Sequence, residues 1–294
     1  MVEVREGRRE GALTRLGVLA TVYAVLFAGL YFFTVRTVDG RLLGDASLRG
    51  ALFTSPAVED SVDAVLNVVS TASLLGAVAL VAVIALLRLA RFEGLAAVGM
   101  LVAANLSTMV LKDYLLTRPD LGLNEVAPAT LNSLPSGHST AAFSAVAALI
   151  FVLPRPWRSF AATIGAAYAT VTGLATMSAG WHRAADAMAA FLLVGFWTTV
   201  AAMVVVAAGS ASAPARNAEA TASTARWLGA AALGCLLLGA AMVASLVGAA
   251  PILDTTFGSW VAFTAAGLLI AGAAMAVLVG VLRALDLMDW STTA

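Results

Sequence analysis

AADAMAAFLLVGFWTTVAAMVVVAA, Ala184–Ala208, decides the architecture. It holds a single charged side chain, Asp186, in its first turn, and is apolar from there to its end. A bilayer core takes about 20 apolar residues to cross as a helix. A helix is required because lipid offers no partner to backbone amides. This stretch is therefore a membrane span, and the six residues that introduce it, Trp181-His182-Arg183-Ala184-Ala185-Asp186, place titratable chemistry at its mouth.

Seven further apolar stretches of similar kind flank it: approximately Leu16–Val35, Val65–Leu87, Gly94–Leu116, Ser136–Leu153, Phe160–Ser178, Trp227–Ala249 and Trp260–Leu282. Across 294 residues, 61% are hydrophobic and 12% charged, about half the charge of a soluble domain. The composition excludes a soluble fold and predicts an all-α, polytopic membrane helical bundle. A formal net charge of zero gives no sign of a nucleic-acid partner. The lone cysteine, Cys235, excludes an internal disulfide and reads as small core filler. Arginine outnumbers lysine sixteen to one, and with abundant alanine this composition points to a high-GC bacterial gene.

The expected organisation is a charged N-terminal segment (1–15), a six-span core (16–208), a linker (209–226) and a two-span C-terminal addition with a short tail (227–294). The first apolar stretch is too long for a signal peptide and reads as a retained span. The linker is rich in Ala, Ser and Thr and reads as flexible. Asp45–Phe53, between the first two spans, suits a short helix lying on the membrane surface. Gly229, Gly234 and Gly239 give the added spans small faces suited to close packing.

Positive charge sets orientation. With the N-terminus inside, Arg5, Arg8, Arg9, Arg15, Arg88, Arg91, Arg155, Arg158, Arg216, Arg226 and Arg283 are cytoplasmic. Arg36, Arg41, Arg49, Lys112, Arg118 and Arg183 are outside, a ratio of eleven to six. Both termini are then cytoplasmic, and three polar motifs share the outer face.

Those motifs contain the only lysine and both histidines of the chain. Pro135-Ser136-Gly137-His138 opens the fourth span, with Ser136 as N-cap. A helix start with unpaired amides is a ready cradle for phosphate; by itself the motif equally describes a capped helix with an interfacial histidine. His182 and Asp186 are four apart on one helical face. A carboxylate behind an imidazole fixes its tautomer and supports nucleophilic use, although such a pair alone is also a common structural contact. Lys112 ends the third span and Arg118-Pro119 follows it. Lysine near hydrocarbon is costly and suits a functional role or simple snorkelling, while the arginine fork suits phosphate oxygens. Asp113 is read as facing water.

In order and spacing, Lys112…Arg118-Pro119, Pro135-Ser136-Gly137-His138 and His182…Asp186 together resemble the type 2 phosphatidic acid phosphatase superfamily, the lipid phosphate phosphatases. The resemblance covers about Gly94 to Ala208. It implies a six-helix membrane core and a phosphatase without metal or cofactor. Lys112, Arg118, Ser136 and Gly137 would bind phosphate. His182, oriented by Asp186, would form a phosphohistidine, and His138 would act as general acid and base. Two histidines in these roles imply a bell-shaped pH profile.

The chain departs from the pattern twice. Five residues rather than six separate the lysine from Arg-Pro, and Thr176 stands where the third motif has an arginine. Arg183 is the candidate replacement for that cation. The implied partner is an amphiphilic substrate within membrane lipid: polyprenyl phosphate or diphosphate, phosphatidic acid, or phosphatidylglycerol phosphate. The alternative is a non-catalytic lipid-phosphate binder or transporter that retains the pocket.

Overall fold

The computed structural model describes residues 2–53, 55–68, 71–125, 132–209 and 218–291. Every regular element among them is helical. In chain order these are α1 (Val2–Arg36), α2 (Val38–Leu52), α3 (Ser55–Val68), α4 (Thr71–Leu87), α5 (Arg91–Val110), α6 (Gly137–Val152), α7 (Arg155–Ser178), α8 (Ala184–Ala208), α9 (Ala218–Leu246), α10 (Ala250–Leu253) and α11 (Thr256–Ser291). A π turn, Leu111–Leu115, extends α5.

Six helices are long and apolar enough to cross a bilayer, or seven when one bent pair is taken as a single span. The expectation of eight therefore needs correction at two places. The second span is broken: Val62–Val68 and Ser73–Leu87 meet at 50°. The fourth is α6, whose 16 residues rise roughly 24 Å, short of a ~30 Å hydrocarbon core. Pro135 and Pro154 bracket α6 and limit its length.

α8 is the axis of the bundle. It packs on α1, α5, α6 and α11, and α11 also covers α2, α7 and α9. Gly195 of α8 permits this closeness, since an added Cβ would stand 2.7 Å from Val277 of α11 and 2.9 Å from the Tyr23 ring of α1. A polar ladder joins the helices that carry the first two motifs. Thr108 and Thr140 hydroxyls lie 2.9 Å apart, and Asn105 Nδ2 donates to Ser144 Oγ at 3.0 Å. Such bonds, which leave no polar group bare in an apolar interior, fix the α5–α6 register.

The predicted surface helix at Asp45–Phe53 is instead part of α2, which starts at Val38 and turns a buried face to α11. Thr37 caps it by accepting the Gly40 amide at 3.1 Å. An amphipathic helix buries its apolar side wherever a protein surface offers more contact than headgroups do, and here α11 offers it. The predicted flexible linker, 209–226, is helical from Ala218 onward; 210–217 lie outside the described residues. Gly209, with φ 64°, terminates α8 in the left-handed conformation. Of the three glycines expected to pack closely, only Gly239 meets a neighbour, Leu269. Gly229 and Gly234 face open space. Cys235 is half-buried rather than core.

Candidate functional site

Antiparallel packing brings the end of α5 and of α7 to the starts of α6 and α8, and hydrogen bonds lock the four ends together. The Ser136 amide donates to the Asp186 carbonyl at 2.9 Å. The Thr176 carbonyl accepts the amides of Trp181 and His182 at 3.1 and 3.2 Å. These bonds join α6 to α8 and fold the 179–183 turn back on α7.

His182 and Asp186 meet as their spacing predicts, with Nδ1 and Oδ2 3.1 Å apart and both side chains buried. A carboxylate only accepts, so Nδ1 carries the proton and Nε2 of the neutral ring keeps a lone pair. Asp186 Oδ2 also accepts the Ser133 hydroxyl at 2.6 Å and the Arg183 amide at 3.0 Å. Three donors on one oxygen, at a helix N-terminus, hold this carboxylate in a single orientation. Ser133 was not among the predicted residues. Its only signal in the chain is its place three before Ser136.

His138 sits in the first turn of α6, half-buried, with its ring 5.4 Å from that of Trp181. It lies within electrostatic reach of both His182 and Lys112. Ser136 is the N-cap, accepting the Ser139 amide at 3.3 Å. With its own amide and hydroxyl occupied, Ser136 positions the helix. The first amides of α6, those of Gly137 and His138, have no intrahelical acceptor and are the ones open to an anion. Gly137 is exposed.

Lys112 is half-exposed in the π turn, and Asp113 faces outward. The wide turn closes with the Leu116 amide on the Leu111 carbonyl at 2.8 Å, so Lys112 does not follow α-helical register and the one-residue shortening before Arg118 is absorbed there. Asn132 Nδ2 anchors this end, donating to the carbonyls of Lys112 and Leu116 at 3.0 and 3.1 Å.

The arginines are held from outside these helices. Arg118 Nη2 donates to Glu125 Oε1 at 3.0 Å. Glu125 is shared with Arg41 of α2, whose Nη2 donates to Oε2 at 2.9 Å and whose Nη1 reaches the Pro119 carbonyl at 3.1 Å. Burial pushes the Glu125 carboxyl up, but hydrogen bonds and charge from Arg41 and Arg118 outweigh it and hold the group below the ordinary range. Arg183, 5% exposed, lies 3.8 Å from Asp45 of α2, its stem over Gly44. Burial, then the charge of Arg118, pulls its guanidinium below the usual value against Asp186, Glu125 and Asp45. α2 thus bears on both arginines, on Arg183 directly through Asp45 and on Arg118 through Arg41, which shares Glu125 with it; no motif reading singled out Arg41 or Asp45. Thr176, where the family pattern has arginine, is fully buried and turns its hydroxyl to the Gly173 carbonyl at 2.9 Å.

This geometry coincides with a family match. Residues 93–210 match the model of the PAP2 superfamily. The segment is a PAP2 superfamily domain. It runs from the first turn of α5 to just past α8 and contains every predicted site residue. Arg41, Asp45, α9 and α11 lie outside it. No curated protein and no solved structure matches the chain.

Proposed function

We propose that this multi-pass membrane protein is a lipid phosphate phosphatase working through a phosphohistidine. The observation that carries the reading is the His182–Asp186 pair at 3.1 Å, with His138 and Lys112 close enough to share its electrostatic field. In this reading His182 Nε2 attacks phosphorus, the bond from phosphorus to the leaving oxygen breaks, and His138 protonates that oxygen. Water then attacks the phosphohistidine, His138 takes its proton, and the P–N bond breaks to release inorganic phosphate and neutral His182. Lys112, Arg118, Arg183 and the amides at Gly137 and His138 stabilise charge on the transferring group.

The substrate is a phosphomonoester or diphosphate of a membrane lipid, such as polyprenyl phosphate, phosphatidic acid or phosphatidylglycerol phosphate. The arginine bias between loops supports an outward-facing site in a bacterial membrane. The protein in nanodiscs should release phosphate from members of that panel and accumulate an acid-labile phosphoryl group at early times, with His182→Ala doing neither. Binding of the same lipids by the native protein without phosphate release would leave a transporter or binder as the answer.

Arg183 supplies the cation that Thr176 does not. It is buried, adjacent to the nucleophile, and coupled to Arg118. Arg183→Ala should lower kcat/KM by about 10²- to 10³-fold, the usual loss for one stabiliser of the transition state. Near-native turnover by that variant would remove Arg183 from the mechanism.

A further inference from the structure

A cavity of about 140 Å³ begins where the candidate site ends. Arg118, Arg183 and Asp186 form its polar border. Apart from Thr34 and Ser47 the rest is apolar, chiefly Leu30 and Phe33 of α1, Leu43 of α2, Met188 of α8, Val243 of α9 and Leu269 of α11. Ala262 and Ala266, both buried in α11, keep it open on one wall, and Gly40 and Gly44 of α2 on another. Neither histidine touches it. Most of its lining therefore comes from helices that precede or follow the 93–210 domain.

Two features argue against a packing defect. Its lining is drawn from several helices and it is half-open, so hydrocarbon can enter it. Arg118, whose side chain is 4% exposed, also has a buried Nε with no hydrogen-bond partner among the described residues. A buried guanidinium donor without an acceptor, at the mouth of an apolar chamber, fits a ligand that is anionic at one end and hydrocarbon behind it.

We infer that this cavity seats the phosphate-proximal hydrocarbon segment of the substrate, so that α2, α9 and α11 set which lipid chains the site accepts. A cavity of similar size, ~150 Å³, takes benzene. The chamber therefore holds about six carbons, with the remaining chain left in lipid beyond the exposed Phe33. The inference rests on the phosphatase reading for the identity of the anionic end, and it accounts for the two C-terminal spans as part of the binding site.

The test compares hexyl phosphate with methyl phosphate, which differ only in the chain. Val243→Phe and Ala266→Leu fill the cavity from two different helices. Each should raise KM for hexyl phosphate about 10-fold or more and leave kcat/KM for methyl phosphate within about twofold. Leu269→Ala should shift preference toward a branched chain. Equal loss on both substrates, or no change on either, overturns the inference. Should Ala266→Leu not fold, Val243→Phe decides alone. If the native protein hydrolyses neither ester, the phosphatase reading is decided by the lipid panel above while the cavity stays testable by equilibrium binding. Weaker binding of hexyl phosphate by Val243→Phe, with inorganic phosphate binding unchanged, supports the seat; identical binding by native and variant protein rejects it.

Discussion

The two ends of the bundle both bury arginines, and they use them differently. At the end away from the motifs, Arg158 has its donors taken by the chain: Nη1 by Asp289 Oδ2 at 2.8 Å and Nε by the Leu153 carbonyl at 3.0 Å. Arg155 lies 3.0 Å from the same aspartate and 3.6 Å from Asp286. These contacts pin the α6–α7 corner to α11. At the motif end, Arg118 is equally buried and its Nε has no acceptor among the described residues, and two imidazoles and a half-exposed lysine share that end of the bundle. An unbonded donor does not by itself tell the ends apart, since Arg155 Nε also lacks a hydrogen bond among the described residues, although it faces Asp289 as an ion pair. What differs is the company: carboxylates of α11 at one end, titratable imidazoles at the other, the kind of grouping expected of a functional site.

The largest expected difference between the two ends concerns their aspartates. Asp186→Asn preserves shape but no longer enforces the tautomer of His182 or stabilises its cation. The drop in kcat should be about 10³- to 10⁴-fold, as for other carboxylates behind a catalytic imidazole, a far larger effect than the modest fall in melting temperature from weakening three charge-assisted hydrogen bonds. Asp289→Asn should do the reverse. It leaves Arg158 buried without its countercharge and Arg155 with only Asp286, at 3.6 Å, which costs about 3 kcal/mol, while the protein that remains folded keeps its turnover. Initial rates and thermal unfolding measured on both variants decide this. Comparable loss of turnover in Asp289→Asn would erase the distinction between the ends.

Glu125 belongs to the motif end yet has a structural duty, and its variant should show a mixed effect. Glu125→Gln leaves Arg41 and Arg118 buried together without a carboxylate, a destabilisation of about 3 kcal/mol, and loosens Arg118, so KM should rise as well. The pH dependence has a definite sign. The folded carboxyl titrates below its ordinary value of about 4.5 because two arginines outweigh burial. Its contribution to stability is therefore complete above the unfolded value and is lost as pH falls through the lower folded one. Acid unfolding of the native protein should steepen below about pH 4.5, and Glu125→Gln should lack that component. Superimposable acid-unfolding curves would mean that the Arg41–Glu125–Arg118 network carries no such linkage.

This uneven duty also explains what could be read from the chain alone. The helical class, the meeting of His182 with Asp186 and the Ser136 cap follow from local rules: hydrophobic length, i to i+4 spacing, and cap chemistry. The bend between Val62–Val68 and Ser73–Leu87 and the shortness of α6 escape such rules because a hydropathy window averages over a few polar residues or prolines, Ser70 to Ser73 in one case and Pro135 and Pro154 in the other. Arg41, Asp45, Glu125 and Ser133 escaped for another reason. Each acts across sequence distance, Arg41 on Glu125 and Asp45 on Arg183, and a charged residue in an outer loop looks the same whether it faces water or a buried partner. Asp45–Phe53 suits a surface helix in the sequence because its mixed composition fits headgroups as well as it fits the face of α11.

The smallest expected effect separates two serines beside the site. Ser139 Oγ is fully buried and has no hydrogen-bond partner among the described residues. Ser133 Oγ donates to Asp186 at 2.6 Å. Ser139→Ala removes a hydroxyl that already carries its desolvation cost, so stability should change by less than about 1 kcal/mol, toward greater stability. Ser133→Ala takes a charge-assisted donor from the carboxylate and should cost about 2 kcal/mol, with a fall in kcat because Asp186 is less firmly held. Turnover separates the alternatives: loss in Ser139→Ala at unchanged melting temperature would mean that its hydroxyl reaches the substrate or a catalytic group when the site is occupied, and that the motif end opens on binding more than its closed packing indicates.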